Sequence, residues 1–379
     1  MTRKLLLLSL FSGIVILGIQ AQNTRKLTSD LNAFRAGDQL VKQQVVYKDP
    51  GRSGENVLWD FSNLSAINDE YELSYRCLGD SSSIIGTEHR TMYYYSLTND
   101  SLLLCGYENP TTLMRNQQPE LLLKFPMVYQ NEIKTYFSGQ GKYCERLQLD
   151  AMGISETVAD AYGVMVLPSR DTLRHVFRTH TVKWIAESTS PLPRKKNTNN
   201  PIIVVLSDSI DYRLANDSII YGVETYRWYA KGYRYPIFET VKSIIQKKGE
   251  DLDYFDVAFF YPPQEHYYIE NDENNLATLE EIENDPIINN DPWAGLTYNV
   301  YPNPVIYNME LDIYLPRSAQ VRVQITGKMG QITLIENLGV LPEGISNRQI
   351  CMASCISGEY VLNIFLDGEA IISKVILKR

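Results

Sequence analysis

Glu250, Asp251, Asp253 and Asp256 crowd the stretch EDLDYFD of this 379-residue chain, and paired carboxylates are the simplest chemistry a sequence can offer. A glycoside hydrolase needs two acids about 5 to 9 Å apart, one to donate a proton and one to act as nucleophile or base. Their positions along a chain are free, so spacing cannot exclude such a use. A charge run in a turn is usually a solvated face, and enzymatic use of this one is the minority reading.

The other reactive side chains are scattered. His175 and His180 lie five apart in RHVFRTH and would point to opposite faces of a strand, which argues against a shared metal. His89 and His266 stand alone. The five cysteines, Cys77, Cys105, Cys144, Cys351 and Cys355, are odd in number, so at least one is unpaired. Cys351 and Cys355 would be about 13 Å apart on an extended strand and could bridge only across a turn. There is no Gly-x-Ser-x-Gly elbow, no His-Glu-x-x-His, no phosphate-cradling glycine loop and no dinucleotide fingerprint. No catalytic residue, metal site or cofactor is therefore assigned.

Tyrosine is the compositional oddity, with 26 in the chain. Tyr93-Tyr94-Tyr95 and the group Tyr226, Trp228, Tyr229, Tyr233 and Tyr235 are the densest. In a β protein most such rings are strand residues with the ring buried and the hydroxyl wet. The sharper alternative makes Trp228, Tyr229 and Tyr233 a platform for a glycan or a protein. The net charge of −9 gives no footprint for nucleic acid, and the one basic cluster, Arg194-Lys195-Lys196, sits in a proline- and asparagine-rich loop.

The elements that would carry these residues are mostly strands. Arg3 and Lys4 precede an apolar run from Leu5 to Ile19, with Ala21 placed for signal-peptidase cleavage, so residues 1–21 read as a secretory signal peptide. No later segment is apolar enough to span a membrane. Val41, Val45 and Tyr47 alternate with Lys42, Gln44 and Val46, and Ile202 to Leu206 is a β-branched run with the profile of a buried strand. Helix signals are confined to Thr28-Ser29-Asp30 leading to Phe34, and to Leu276 to Ile282. This pattern favours antiparallel sandwiches over an α/β fold.

Residues 22–268 form one β-rich region. The segment from Glu270 to Asp291 carries many acids and no Lys or Arg, so residues 269–296 read as a hydrated acidic linker rather than a calcium loop. Beyond it Leu311, Ile313 and Leu315, Val321, Val323 and Ile325, and Tyr360, Leu362, Ile364 and Leu366 each alternate with polar neighbours. Ile371, Val375 and Leu377 are expected to face away from Lys374 and Lys378. The reading is all-β: a large N-terminal antiparallel β domain plus a small C-terminal immunoglobulin-like β-sandwich over residues 297–379.

The C-terminal segment carries a motif. It opens with Tyr301-Pro302-Asn303-Pro304, continues through Val321-Arg322-Val323-Gln324-Ile325 to Gly330, then Gly344, then Ser357-Gly358-Glu359-Tyr360-Val361-Leu362-Asn363-Ile364, and closes on the Lys374 strand. In order and spacing Asn299 to Arg379 resembles the type A sorting domain of the type IX secretion system of Bacteroidota. The turn before Gly330 reads Thr326-Gly327-Lys328-Met329, where the family usually has Asp or Asn. The two prolines fix φ and stiffen the path into the first strand. The resemblance implies export through the periplasm to the cell surface or medium. It also implies two partners, an outer-membrane translocon and a sortase-like peptidase, with attachment to surface lipopolysaccharide in some members.

Several N-terminal stretches, among them Gly54-Glu55-Asn56-Val57-Leu58-Trp59-Asp60 and Ala161-Tyr162-Gly163-Val164-Met165, are similar to an uncharacterised region found ahead of such domains. No activity travels with that similarity. The expectation is a structural, adhesive or binding cargo, with a secreted glycan hydrolase as the rival.

Overall fold

The computed structural model describes residues 26–169, 172–192, 205–247, 250–267, 269–284, 293, 295–327 and 331–379. The expected signal peptide, the Arg194-Lys195-Lys196 loop, Ile202–Val204 of the expected buried strand and Gly330 lie outside those residues. The chain forms two compact units. One comprises the described residues up to Ser53, Leu64–Tyr162 and His175–Leu279. The other comprises Gly54–Asn63, Gly163–Arg174 and the described residues from Glu280 to Arg379.

In the first part of the chain, β1 (Lys26–Leu27) and α1 (Ser29–Asn32) lead into β2 (Gln39–Val45) and β3 (Gly54–Asp60). A meander follows: β4 (Ala66–Leu78), β5 (Asp80–Glu88), β6 (Thr91–Leu97), β7 (Ser101–Glu108) and β8 (Thr112–Lys124). After the short β9 (Met127–Val128) come β10 (Glu132–Tyr143), β11 (Leu147–Val166) and β12 (Thr172–Pro191). Helix α2 (Ser207–Asn216) precedes β13 (Ile219–Ala230), β14 (Phe238–Lys247) and β15 (Glu250–Phe260), and α3 (Pro263–Tyr267) and α4 (Glu273–Glu283) follow.

Twelve of these strands, all but β1, β3 and β9, pair antiparallel around a ring, which β15 closes through Ala258↔Val45, Phe259↔Gln44 and Phe260↔Gln43. The all-β class holds, but this unit is a closed barrel where packed sandwiches were expected. Closure removes the exposed edges that an open sheet of this size would present. Successive side chains alternate between lumen and outside. Tyr71, Leu73 and Tyr75 point inward between the exposed Glu70, Glu72 and Arg76, and Lys134 pairs with Glu156 at 2.6 Å on the outer wall. Gly86 is required on the inner wall, because a Cβ there would stand 2.8 Å from the Tyr95 ring and 3.0 Å from that of Tyr75.

One mouth of the ring is plugged. Arg234 is buried and donates through Nε and Nη2 to Asp272 at 3.0 and 2.6 Å, through Nη1 to the carbonyl of Ala33, and through Nη2 to that of Asp30. One guanidinium thus ties the α1 segment to the residue before α4. Asn275 in α4 adds a bond to Leu31 O at 3.0 Å, and the Tyr235 hydroxyl donates to Asp38 at 2.8 Å. Phe34, Tyr75 and Tyr235 stack above this knot, with ring centroids 4.9 to 5.8 Å apart. The first half of the expected acidic linker is therefore structural: Asp272 and Asn275 are buried, and the boundary between the units falls at Leu279, not before residue 269. The acids could fold because Arg234 and Arg35 neutralise Asp272.

The second unit contains β16 (Thr297–Tyr301), β17 (Asn308–Leu315), β18 (Ala319–Gly327), β19 (Ile332–Leu341), β20 (Gly344–Cys351), β21 (Gly358–Leu366) and β22 (Glu369–Lys378). A three-stranded sheet, β16-β17-β20, and a four-stranded sheet, β19-β18-β21-β22, share one apolar core. Leu311, Ile313, Leu315, Val321, Val323, Ile325, Leu362, Ile364 and Leu366 are all fully buried in it, as their alternation predicts. The last strand departs from expectation: Ile372 and Ile376 are buried while Val375 and Leu377 are exposed. Apolar residues occupy both faces of IISKVILK, so period two could not choose between them, and a bulge at Phe365 opposite Ala370 sets the register. β3 lies against β16 and β17, and the end of β11 joins it through Phe61 N to Val166 O at 2.9 Å. The approach leaves no room for a side chain at Gly163, whose Cβ would meet Val57 O at 1.8 Å.

Replacing Arg234 with Met should lower unfolding free energy by about 3 to 5 kcal/mol, because Asp272 is left charged and buried and two carbonyls lose their donor. Urea denaturation of the wild-type and R234M proteins checks this.

Candidate functional site in the barrel lumen

Contacts between strands that are not neighbours identify the inner wall. Lys183 on β12 reaches Glu120 on β8 at 3.1 Å, passing β10 and β11, and its Nζ stands 5.8 Å from the Phe137 ring centroid. Such a chord is short only on the concave side. Alternation then assigns Thr179, Thr181 and Lys183 to the lumen, and cross-strand register carries the assignment to Arg227 opposite Thr179, Glu239 opposite Arg227, and Phe259 opposite Glu239.

Six charged residues of this wall form three cation–anion pairs. Lys42 Nζ is 2.6 Å from Glu88 Oε1, donates to the Tyr261 hydroxyl at 3.2 Å and lies 3.8 Å from the Phe259 ring centroid. Arg227 donates through Nε to Glu239, and Lys183 takes Glu120 as above. Burial alone would push the Glu239 carboxyl up, but Arg227 and Lys42 outweigh it and hold it below the ordinary carboxylate range. Burial, and then Glu88 and Glu239, push the Tyr71 hydroxyl up to about 12, and Tyr93 moves the same way for burial and Glu88. Both stay protonated near neutrality and can donate hydrogen bonds.

The lumen above the plug admits solvent. Arg227 keeps 34% of its side-chain surface accessible, Glu88 24% and Lys183 22%, although each points into the ring. Arg227 commits only Nε, and its terminal nitrogens form no further hydrogen bond among the described residues. Behind the Lys183–Glu120 pair, Ser155 Oγ, Thr135 Oγ1 and Gln118 Oε1 are buried without a partner. His89 caps the rim, its ring 5.7 Å from Tyr71. Glu239 is held ionised and Glu88 and Glu120 each face a lysine, whereas burial pushes up the carboxyl of Glu187, on the same face of β12 as Lys183.

The residues singled out from sequence lie elsewhere. Trp228, Tyr229 and Tyr233 are 0, 3 and 5% exposed, so they are core and cannot be a contact platform. Trp228 packs edge-to-face on Phe238 at 5.5 Å. The EDLDYFD acids are exposed on β15, where Asp253 meets Lys242 at 3.0 Å and Asp251 accepts from Gln246. His180 stacks on Tyr226 at 4.1 Å and bonds Glu224 at 2.8 Å on the outer wall, while His175 sits at φ 55°. All five cysteines are free, and among the described residues no three ligand-type side chains gather as a metal site. Lys42 and Glu239 were missed because an inward charge breaks the apolar alternation by which buried faces are found; Lys42 had been placed on the polar face of β2.

The motif residues cluster around β22. Asn303 Oδ1 accepts from Leu377 N at 2.8 Å, and Val305 exchanges backbone bonds with Leu377 and Arg379. The Tyr301-Pro302 and Asn303-Pro304 bonds are both cis. Gly358 opens β21, Tyr360 two residues on donates its hydroxyl to Ile356 O at 2.8 Å, and Lys374 Nζ lies 5.8 Å from the Tyr298 ring centroid. No protein-family model matches the chain, and no curated protein matches it either.

His266 supplies a pH test of the plug. Burial pushes its imidazole down to about 3 against the pull of Asp272; both ring nitrogens lack partners, and Tyr233 and Tyr235 flank it at 5.3 and 6.2 Å. The unfolded chain binds this proton near pH 6.5 and the folded chain does not, so stability is lost as pH falls below about 6.5. The loss should approach 1.4 kcal/mol per pH unit between about pH 6 and 4. Melting curves of wild type and His266→Phe across that range should diverge, the variant being flatter.

Proposed function

We propose that the chain is exported by the type IX route and acts outside the cell, or on its surface, as a non-enzymatic binding protein. In this reading the barrel is the cargo and the C-terminal sandwich the sorting module, recognised by the translocon and a sortase-like peptidase. The observation that carries it is the Asn303 clasp. The motif asparagine uses its side-chain carbonyl as a strand would use its backbone, holding the Tyr301-Pro302-Asn303-Pro304 segment against β22 as one fixed surface feature.

Further features support the proposal. The sheet partition, with β17 beside β20 and β18 beside β21, suits a Greek-key sandwich of the immunoglobulin-like kind, and the Tyr360–Ile356 bond suits its tyrosine corner. The even meander of the barrel also invites an outer-membrane reading. Against it stand Glu70, Glu72 and Arg76 and the Lys134–Glu156 pair on the outer wall, where a membrane barrel carries an apolar band. No helix among the described residues is long and apolar enough to cross a membrane. A glycan hydrolase is less favoured because three lumen carboxylates, Glu88, Glu120 and Glu239, are committed to cations.

In a host that has the type IX machinery, removing Asn299–Arg379 should leave the protein in the periplasm, and surface delivery of the truncated form would refute the assignment. Asn303→Ala should cost only about 1 kcal/mol of stability, yet cut delivery several-fold if the clasped segment is what the exporter reads.

A further inference from the structure

We infer that a small cavity in the plug binds an oxyanion that still carries a proton, of the class of hydrogen phosphate or bicarbonate. The inference rests on the barrel unit alone and stands whether or not the sandwich directs export. The cavity lies where four segments meet: β1 with α1, the start of β12, the β13–β14 connection, and α4. Two independent features of its wall select the ligand. The first is charge. Lys26, His175 and Lys231 line the cavity and no carboxylate does, so the wall has one sign and favours an anion over a cation. Asp272, the acid of the plug, is taken by Arg234 at 2.6 Å.

The second is a buried acceptor. Asn275 also lines the cavity, is 3% exposed, and donates through Nδ2 to Leu31 O and to Asp272 Oδ2, each at 3.0 Å. A carbonyl and a carboxylate only accept, so the amide has one workable orientation, and its Oδ1 is the group left buried without a partner. An unmet buried acceptor is unfavourable, and only a donor relieves it. Lysines that call for an anion and an amide oxygen that calls for a donor are satisfied together by an oxyanion with an O–H group. Size agrees. At about 30 Å³ the cavity has about two to three times the least space that admits one water, which suits a compact ion and excludes a sugar or a nucleotide. Phe177 and Tyr229 complete the wall, and in such apolar surroundings each charge-assisted bond is stronger than in water.

The test uses the full mature chain in chloride buffer at constant ionic strength. Inorganic phosphate and bicarbonate are the probes and sulfate the control, each titrated up to about ten millimolar and followed by calorimetry and thermal melts. Sulfate matches phosphate in shape but carries no proton near neutrality, so its oxygens would oppose Asn275 Oδ1. At least one probe should bind saturably, raise the melting temperature, and bind about tenfold or more tightly than sulfate. Lys231→Gln should weaken that binding roughly tenfold and keep the preference over sulfate. Asn275→Leu should abolish the preference. If N275L does not fold by circular dichroism, K231Q decides, because Lys231 is no member of the Arg234 knot. Absence of saturable binding by both probes, sulfate binding as tight as theirs, or binding that a folded K231Q variant leaves unchanged would each overturn the inference.

Discussion

A ring of twelve strands encloses more space than its own side chains can fill, and this geometric constraint governs the rest of the first unit. Eight strands leave an interior that side chains just occupy, whereas sixteen or more leave an aqueous channel. A twelve-stranded ring must either fill its surplus volume with chain or line it with groups that tolerate water. This protein does both. The α1 segment, the β13–β14 connection and α4 fill one mouth, and ion pairs line the rest. The two solutions need opposite chemistry: the plug is aromatic and closed around one fully bonded guanidinium, while the lumen keeps guanidinium donors uncommitted.

The comparison of Arg234 with Arg227 makes the difference concrete. Both are inward arginines seven residues apart, and both have a carboxylate partner. Arg234 spends its donors on Asp272 and two carbonyls, and at 4% exposure it is a cross-link. Arg227 spends one donor on Glu239 and keeps a third of its surface. Burying a cation is tolerable only with its hydrogen bonds met, so an arginine with spare donors persists only where solvent or a ligand can reach it. Position relative to the plug, not residue type, separates the structural group from the candidate functional one.

That separation also explains what could be read from the residues in order. Alternation located the strands of the second unit and most of its buried faces, because a two-layer core rewards one apolar side per strand. Where both sides are apolar, as in IISKVILK, the rule gave the wrong face. In the barrel the same rule misplaced Lys42, since an inward position facing Glu88 across the β2–β4–β5 wall can be charged. The tyrosine-rich stretch stands out in composition, yet Trp228, Tyr229 and Tyr233 are core. Ring closure is invisible to local pattern: it depends on β15 meeting β2, two segments more than two hundred residues apart. Helix α2 left a readable trace in Ser207 and Asp208 at its start and Arg213 near its end, obscured by an exposed Leu206 at the cap position.

The second unit raises a different point about reading boundaries. A composition change near residue 270 suggests that everything after it is separate, but contacts assign Gly54–Asn63 and Gly163–Arg174 to the same unit as the final strands. The reason is pairing: β3 needs partners along its length, finds the end of β11 on one side, and lies against β16 and β17. The close approach at Gly163 shows how tightly that pairing is drawn, since no side chain fits there. The core of the sandwich, from Trp293 to Ile376, nevertheless draws its buried residues from the C-terminal segment alone. The apolar cluster that stabilises the module is therefore C-terminal, while β3 is an added layer against β16 and β17. Both that core and the clasped Asn303 segment are built from C-terminal residues.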